Sequence, residues 1–308
     1  MKRERLDWLA DNPLYTKRFA FFVGRRCRAT TVKEVAEELF LDWHTVKELD
    51  KQYMREQLRR AGTPAPRVLG IDEIAIAKGH QYRIVVSDLE RGRPIWFGGK
   101  DRSEASLDEF FAWLGPEKCR KIRLVVMDMW KAFRTSTRKA GNAPQAAILY
   151  DKFHVLRHLS DALDEVRKRE YARLSGKDRR FIKGQKYTLL AHWENLTTQG
   201  RKALKVLFKA NRRLHKAYLL KESFGQLWGY PSAALAWQFF EMWRDALRWQ
   251  RLEPYRKFAR MIEAHWSGIA SYCEEEGEVP LGFVEGMNNK IRAIQRRATA
   301  SGMRSTSV

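Results

Sequence analysis

Cysteine is scarce in this sequence, and its placement excludes two common kinds of small domain. The 308 residues contain three cysteines, Cys27, Cys119 and Cys273, and no Cys-x-x-Cys pair. Zinc ribbons and disulfide frameworks need closely spaced or paired cysteines, so neither is expected. The pattern fits a reducing cytosol, and we expect all three thiols to be buried as small apolar side chains.

Long hydrophobic runs are also missing. No apolar stretch approaches the roughly 18 residues that are needed to cross a bilayer. Residues 1–10 lack the apolar region of a secretory signal peptide. We therefore expect a cytoplasmic protein with no membrane partner.

Acidic residues are few relative to basic ones. The chain has 59 Lys and Arg against 37 Asp and Glu, which gives a formal net charge of +22. A surplus this large must be balanced by anions, and nucleic acid is the usual source of them. Hydrophobic residues make up 44% of the chain, so the protein is globular, and its length suits two or three domains.

Residues 31–60 have the pattern of two helices joined by a short turn. Thr31 is a predicted N-cap with Glu34 as its capping-box partner, and Asp42 is the predicted N-cap of the second helix. Phe40 is unusual, because it occupies the place where such a turn commonly carries glycine. The apolar positions are typical of a helix-turn-helix, and they are Ala36, Leu39, Leu41, Val46 and Leu49.

The second helix of this pair has a polar face that would meet DNA. The candidate DNA-binding residues on it are Trp43, His44, Lys47 and Lys51. The alternative is a plain helical hairpin that makes no DNA contact. The positive charge of the chain favours DNA binding.

After a predicted linker over residues 61–66, which holds Pro64 and Pro66, the pattern changes to strands. Strands are predicted over 67–76, 82–89, 93–97, 122–128 and 146–150, with helices over 103–114 and 129–139. This order predicts a mixed sheet that is antiparallel first and then parallel through crossover helices. Residues 152–275 show no strand pattern and predict a basic, all-helical block.

Two of the predicted strands carry an aspartate at or near the end of an apolar run. These are Asp72 and Asp128, while Glu285 lies far downstream at a predicted helix start. A buried acid is costly unless it is paired or binds a cation. Three converging carboxylates suit hard divalent ions, a pair of which can serve phosphoryl transfer. The alternative is that these acids cap helices or form salt bridges.

Four short stretches occur in a fixed order along the chain. They are residues 69–73 (Leu-Gly-Ile-Asp-Glu, with Lys-Gly-His at 78–80), 125–130 (Val-Val-Met-Asp-Met-Trp), 151–159 (beginning Asp-Lys-Phe-His-Val) and 285–298 (Glu-Gly-Met-Asn-Asn-Lys-Ile, ending Arg-Arg-Ala). Together they resemble the conserved blocks of bacterial insertion-sequence transposases of the ISL-three type. The resemblance extends from about residue 14 to residue 298. The four stretches are specific to this family only when they occur together.

The resemblance implies an α/β fold with an RNase H-like mixed-sheet catalytic core. A large all-α insertion would interrupt this core, and a helix-turn-helix region would precede it. The implied Asp-Asp-Glu triad is Asp72, Asp128 and Glu285, acting as catalytic residues and as ligands of two Mg²⁺ ions, for which Mn²⁺ can substitute. Domains would span 1–60 (helix-turn-helix), 61–66 (linker), 67–158 (core), 159–275 (insertion) and 276–308 (end of the core).

The implied activity is that of a DNA transposase. Water would cut the element's ends, and the freed 3′-hydroxyl would then attack target DNA. The implied partners are the terminal inverted repeats, the target DNA and further copies of the same chain, at the bacterial nucleoid. Lys290, Arg292 and Arg296 would hold DNA phosphates beside the site.

Other polar residues near the triad are candidates for a supporting role. Asp151 ends the fifth predicted strand, and Asn288 shares a helical stripe with the triad glutamate. His154 is assigned either to packing or to a position behind the metal ligands. Glu73 is left out of the triad, because consecutive residues of a strand point to opposite faces.

The sequence departs from the family pattern in its N-terminal and C-terminal parts. The family begins with a cysteine-rich, zinc-binding segment, which this chain lacks. Residues 299–308 are polar, whereas the family continues with an aromatic, glycine-containing segment and a further helix. These departures predict a truncated or frameshifted copy.

Two functions of other classes also fit the residues. One is a non-catalytic DNA-binding protein in which the acids are structural. The other is a cellular nuclease or resolvase built on the same RNase H-like core. These two functions and that of a transposase differ in whether the protein cleaves DNA and in whether it prefers the terminal repeats.

Overall fold

The computed structural model describes residues 6–77 and 81–274 of the chain. The chain divides into two compact units, and their described parts are residues 6–65 and 66–274. The first unit is helical, and the second combines a sheet with helices. In the described part of the chain, no helix is both long enough and apolar enough to cross a membrane.

The N-terminal unit consists of three helices around a small apolar core. The helices are α1 (Lys17–Cys27), α2 (Val32–Leu39) and α3 (Trp43–Ala61). Thr31 forms the predicted capping box with Glu34, and the Asp42 side chain accepts a hydrogen bond from His44 N at 2.9 Å. The core residues, Ala20, Val23, Val35, Ala36, Val46 and Leu49, include three of the five positions that predicted the helix-turn-helix.

The backbone conformation of the turn between α2 and α3 explains why Phe40 is unusual at this position. Phe40 has φ 54° and ψ 40°, which is the left-handed conformation that favours glycine. Its side chain is 96% exposed, so no packing within the described chain offsets the strain. A left-handed non-glycine residue costs about 1–2 kcal/mol.

We expect Phe40→Gly to stabilise the pairing of α2 with α3. The gain should be about 0.5–1 kcal/mol, because relief of the left-handed penalty exceeds the entropy that glycine loses on folding. Hydrogen exchange of the amides in these two helices measures the change. Phe40→Ala is the control, since it keeps a Cβ and should give no gain. Faster exchange in Phe40→Gly than in wild type would contradict the assignment.

The sheet of the second unit is mixed, as the sequence predicts. Its strands are β1 (Val68–Ala77), β2 (Gln81–Asp88), β3 (Arg93–Gly98), β4 (Leu124–Met127) and β5 (Ala147–Tyr150), in the spatial order β3-β2-β1-β4-β5. The first three form an antiparallel meander, and β1, β4 and β5 are parallel. The strand order and the mixed directions are consistent with an RNase H-like core.

Helices cover the sheet and then continue as an all-helical block. Between the strands lie α4 (Glu104–Leu114), α5 (Pro116–Cys119) and α6 (Lys131–Arg138). After β5 come α7 (Lys152–Ala172), α8 (Gly176–Gly184), α9 (Lys186–Leu190), α10 (Thr198–Ala210), α11 (Arg212–Phe224), α12 (Ala233–Asp245), α13 (Glu253–Ala264) and α14 (Trp266–Glu274). One contiguous apolar core joins the sheet to these helices. Residues 152–274 contain no strand, in agreement with the sequence pattern.

The cysteines differ from the expectation in one respect. Cys119 is buried, but Cys27 and Cys273 are half-buried, so the expectation of three buried thiols is wrong for two of them. Both lie near the ends of helices, where one side of the helix meets solvent. Burial still raises the pKa of Cys27 to about 12, which keeps this thiol protonated.

Candidate active site

Three aspartates lie in one row across the parallel strands. Ile71, Met127 and Tyr150 are register partners in β1, β4 and β5, and each of them is followed directly by an aspartate. Neighbouring parallel strands in register place equivalent side chains on the same face. Asp72, Asp128 and Asp151 therefore start from neighbouring positions at the carboxyl end of the sheet.

Burial perturbs the carboxyl group of Asp72. Its side chain is 13% exposed, and burial raises its pKa from 3.8 to about 6. The hydrogen bond from Glu73 N, at 2.7 Å, and the nearby His154 act in the opposite direction, while the charges of Glu73 and Asp128 add to the rise. A carboxyl group with this pKa binds a proton or a cation more favourably than a solvated one.

His154 lies close to both Asp72 and Asp128. Asp128 directly follows β4, but Asp72 lies within β1 and not at its end, where the sequence pattern places it. Its Nε2 lies 4.0 Å from Asp72 Oδ1, and its Nδ1 lies 3.6 Å from Asp128 Oδ2. The ring stands in the first turn of α7 and is 19% exposed. These distances place the imidazole within ion-pair range of both carboxylates but beyond hydrogen-bond length.

Asp151 has a different local role. It is the N-cap of α7, and its Oδ1 accepts a hydrogen bond from Phe153 N at 2.9 Å. Its backbone N–H donates to Met127 O at 3.0 Å, which ties it to the strand that carries Asp128. Asp151 thus starts the helix that presents His154 to the two other aspartates.

Arg102, which the sequence pattern did not predict as a site residue, contacts residues close to both aspartates. Arg102 lies between the rings of Tyr82 and Trp130, at 5.0 and 4.5 Å from their centroids. Its Nη1 donates to Glu73 Oε1 at 2.9 Å, and its carbonyl accepts from Trp130 Nε1 at 2.9 Å. Glu73 therefore pairs with Arg102, which agrees with its exclusion from the triad. No short-range sequence signal points to Arg102, which is 29 residues from Glu73.

Comparison with known proteins identifies the family. A transposase family model matches residues 69–308, and a model described as the helix-turn-helix domain of transposase family ISL3 matches residues 4–54. The chain belongs to this transposase family. The transposase for insertion sequence element IS1001 of Bordetella parapertussis is 33% identical over 96% of this chain and 72% of its own length. The transposase for insertion sequence element IS1557 of Mycobacterium tuberculosis is 28% identical over 95% of this chain and 70% of its own length.

Several candidate residues of this ISL3-family transposase lie outside the described residues. They are Glu285, Asn288, Lys290, Arg292 and Arg296. Within 6–77 and 81–274, no group of three or more His, Cys, Asp and Glu side chains is arranged to hold a metal ion. Asp72 and Asp128 nevertheless supply hard oxygen donors of the kind that Mg²⁺ prefers, so the donor chemistry fits a divalent ion.

The helix-turn-helix of this transposase presents its candidate DNA residues unequally. Trp43 and His44 are exposed at the start of α3, with ring centroids 3.7 Å apart, and Lys47 Nζ lies 5.7 Å from the Trp43 centroid. Lys51 is half-buried and forms an ion pair with Glu48 at 2.8 Å. The first turn of α3 is therefore the part of the predicted surface that is open to a partner.

Proposed function

We propose that this transposase cuts the ends of its element and joins them to target DNA through an Asp-Asp-Glu site. The observation that carries the proposal is the meeting of Asp72 and Asp128, from two parallel strands, at the ring of His154. A buried carboxyl group with a raised pKa beside a second carboxylate from another strand is the kind of arrangement that catalytic sites use, which supports the proposal.

The proposed cofactor is a pair of Mg²⁺ ions, with Mn²⁺ as a substitute. Asp72, Asp128 and Glu285 would hold them, and the two aspartates fit this task by their oxygen donors and by the burial of Asp72. Such ions, when bound, activate an attacking oxygen and stabilise a leaving one in phosphoryl transfer.

The residues around the aspartates hold them in place. His154 lies within 4.0 Å of both carboxylates and would orient them, and Asp151 caps the start of α7, which carries the imidazole. Arg102 holds Glu73, next to Asp72, and Trp130, two residues beyond Asp128. An active site held by such contacts keeps its ligands within the narrow tolerance that phosphoryl transfer needs.

DNA recognition is proposed to involve two stretches of the sequence. Trp43, His44, Lys47 and Lys51 would contact the terminal repeats, while Lys290, Arg292 and Arg296 would position the strand at the cut. Asn288 would have a supporting role beside the triad. The catalytic core would comprise 67–158 and 276–308, with 159–275 as its insertion. Assembly of several copies on two DNA ends completes the proposal.

Nicking of a duplex that carries the element's own terminal repeat tests this function. With Mg²⁺, the wild-type chain should nick the repeat end, and Asp72→Asn, Asp128→Asn and Glu285→Gln should each lower the rate on the order of 1,000-fold or more. Asp161→Asn is the matched control, because this exposed aspartate lies on the same helix as His154. Binding of the duplex, measured without divalent ions, should persist in all four variants.

Two outcomes would contradict the proposal. Repeat binding by the wild-type chain with no cleavage under Mg²⁺ or Mn²⁺ would indicate a non-catalytic DNA-binding protein. Cleavage of branched DNA without any preference for the repeat would indicate a nuclease or resolvase. Salt dependence does not separate these alternatives, since all three proteins bind polyanions.

A further inference from the structure

A basic pocket lies along the free edge of the sheet, away from the carboxylate pair. It has a volume of about 650 Å³ and borders β5, the last strand in the sheet order. Helix α6 contributes its basic side, and α14 contributes Ser267, Gly268 and Ser271. The described residues that line it include no aspartate or glutamate.

The edge strand turns part of its backbone towards this pocket. Ala147 N donates to Arg123 O at 2.8 Å and Asp151 N donates to Met127 O at 3.0 Å, so these amides face the neighbouring chain segment. Backbone groups alternate in direction along a strand, which directs those of Ile148 and Tyr150 to the free edge. Ile148 and Tyr150 are buried and α14 packs beside them, so these backbone groups lie in the wall of the pocket.

A glycine allows α14 to approach the edge strand closely at this pocket. A Cβ at Gly268 would lie 2.5 Å from Cδ2 and Cε2 of Tyr150, and 3.1 Å from Ile148 O. Any larger residue would therefore push α14 away from β5. The close approach brings the hydroxyls of Ser267 and Ser271 onto the same pocket as the cations of α6.

Two of the pocket's three cations keep their charge available. Lys139 pairs with Glu104 and Asp108, each at 2.5 Å. Arg138 Nη1 donates to the carbonyls of Pro144 and Ala146, at 2.7 and 3.1 Å, and neutral acceptors leave the guanidinium charge uncompensated. In the part of the chain that the structure describes, neither Arg134 nor Arg138 has a carboxylate partner within 4.0 Å.

The remaining polar groups of the pocket are neutral. Burial raises the pKa of Tyr150, although Arg134 and Arg138 act in the other direction, so its hydroxyl stays protonated. Tyr150 is the pocket's aromatic residue and is buried, which leaves no exposed ring on which a nucleobase could stack.

We propose that this edge pocket binds backbone phosphates of duplex DNA, with Arg134 and Arg138 as the phosphate-contacting residues. Guanidinium groups beside hydroxyls and backbone amides match phosphate oxygens, and a site without a stacking surface suits a phosphodiester better than a nucleotide. The inference rests on the proposed function for the identity of the polyanion. The pocket borders Tyr150, which directly precedes Asp151 of the aspartate row.

The salt dependence of DNA binding by the full chain tests this pocket. Affinity for the terminal-repeat duplex is measured from about 50 to 200 mM KCl without divalent ions. Arg134→Gln with Arg138→Gln should reduce the slope of log K against log[salt] by about 2 and weaken binding roughly tenfold or more. Arg120→Gln with Lys121→Gln, an exposed pair outside the pocket, makes the same change in charge and should leave the slope unchanged.

A charge-preserving pair separates binding from folding. Arg134→Lys with Arg138→Lys loses the carbonyl contacts of Arg138 but keeps two cations, so it should retain most of the slope. An unchanged slope in the glutamine pair, or an equal loss in the control pair, would overturn the proposal. So would calorimetric binding of inorganic phosphate that the glutamine pair abolishes while the DNA slope stays the same, because that result assigns the pocket to a free anion.

Failure of the inference and failure of the proposed function give different results. Asp72→Asn should keep the full salt slope while losing cleavage, since the pocket does not involve that carboxylate. A wild-type chain that never cleaves but shows the pocket-dependent slope would contradict the catalytic proposal alone.

Discussion

Replacing Asp72 by asparagine should make the protein more stable and abolish cleavage. Burial raises the pKa of Asp72 from 3.8 to about 6, so the folded chain holds the ionised carboxylate at a cost. At 1.36 kcal/mol per pKa unit, this gap corresponds to about 3 kcal/mol, a net cost that already includes the attraction of His154. We expect a gain of about 1–3 kcal/mol at pH 7 without divalent ions.

The pH dependence of this effect has a definite sign. Between pH of about 4 and about 6, the folded carboxyl binds more protons than the unfolded one, so stability falls as pH rises through this window. The advantage of Asp72→Asn should therefore be small near pH 4 and complete above about pH 6. Chemical denaturation of both proteins at a series of pH values measures it.

Stability measurements with divalent ions and on a control variant provide two further tests of Asp72. Mg²⁺ should stabilise the wild-type chain and narrow its difference from Asp72→Asn, because binding to the folded state alone adds to stability. Asp161→Asn should change neither stability nor its pH dependence. A loss of stability in Asp72→Asn at neutral pH would mean that this carboxylate has a structural partner stronger than its desolvation cost.

Replacing Gly24 by alanine should disrupt the helix-turn-helix unit. An added Cβ would lie 2.1 Å from Tyr53 Cγ, where α1 crosses α3, and Tyr53 is itself buried and packed on Phe21. Alanine favours an isolated helix by about 1 kcal/mol, but forcing α1 from α3 costs about 1–3 kcal/mol or more. A unit of this size has little stability in reserve. Binding of the terminal repeat should fall with it.

Gly184, the last residue of α8, is the control for Gly24. Nothing lies within 4 Å of a Cβ at that position, so Gly184→Ala should be neutral or slightly stabilising. Hydrogen exchange of α1 and α3 amides, together with repeat binding, follows both variants. Equal protection of these amides in Gly24→Ala and wild type would show that the helices do not cross as closely as described.

Local patterns were sufficient to predict much of this fold. The capping box at Thr31 and the cap at Asp42 are short-range signals, and both hydrogen-bond patterns are present. Apolar runs bounded by turns predicted all five strands, and the meander followed by crossover helices predicted the mixed sheet. The departure at Phe40 also had a physical meaning, since the structure places it in the left-handed conformation that glycine usually adopts.

Other parts depend on contacts between distant residues, which spacing does not encode. The approach of His154 to both aspartates depends on the register of β1, β4 and β5 and on the start of α7. Arg102 meets Glu73, Tyr82 and Trp130 only because three separate segments come together. The edge pocket is likewise assembled from α6 and α14, more than 120 residues apart in the chain.

Binding of Mn²⁺, followed by electron paramagnetic resonance, tests most directly the claim that Asp72, Asp128 and Glu285 form one metal site. The full chain should bind the ion, and Asp72→Asn, Asp128→Asn and Glu285→Gln should each weaken binding at least about tenfold, whereas Asp161→Asn should not. Wild-type affinity in Glu285→Gln would contradict the account, because the third carboxylate would then have no part in the site.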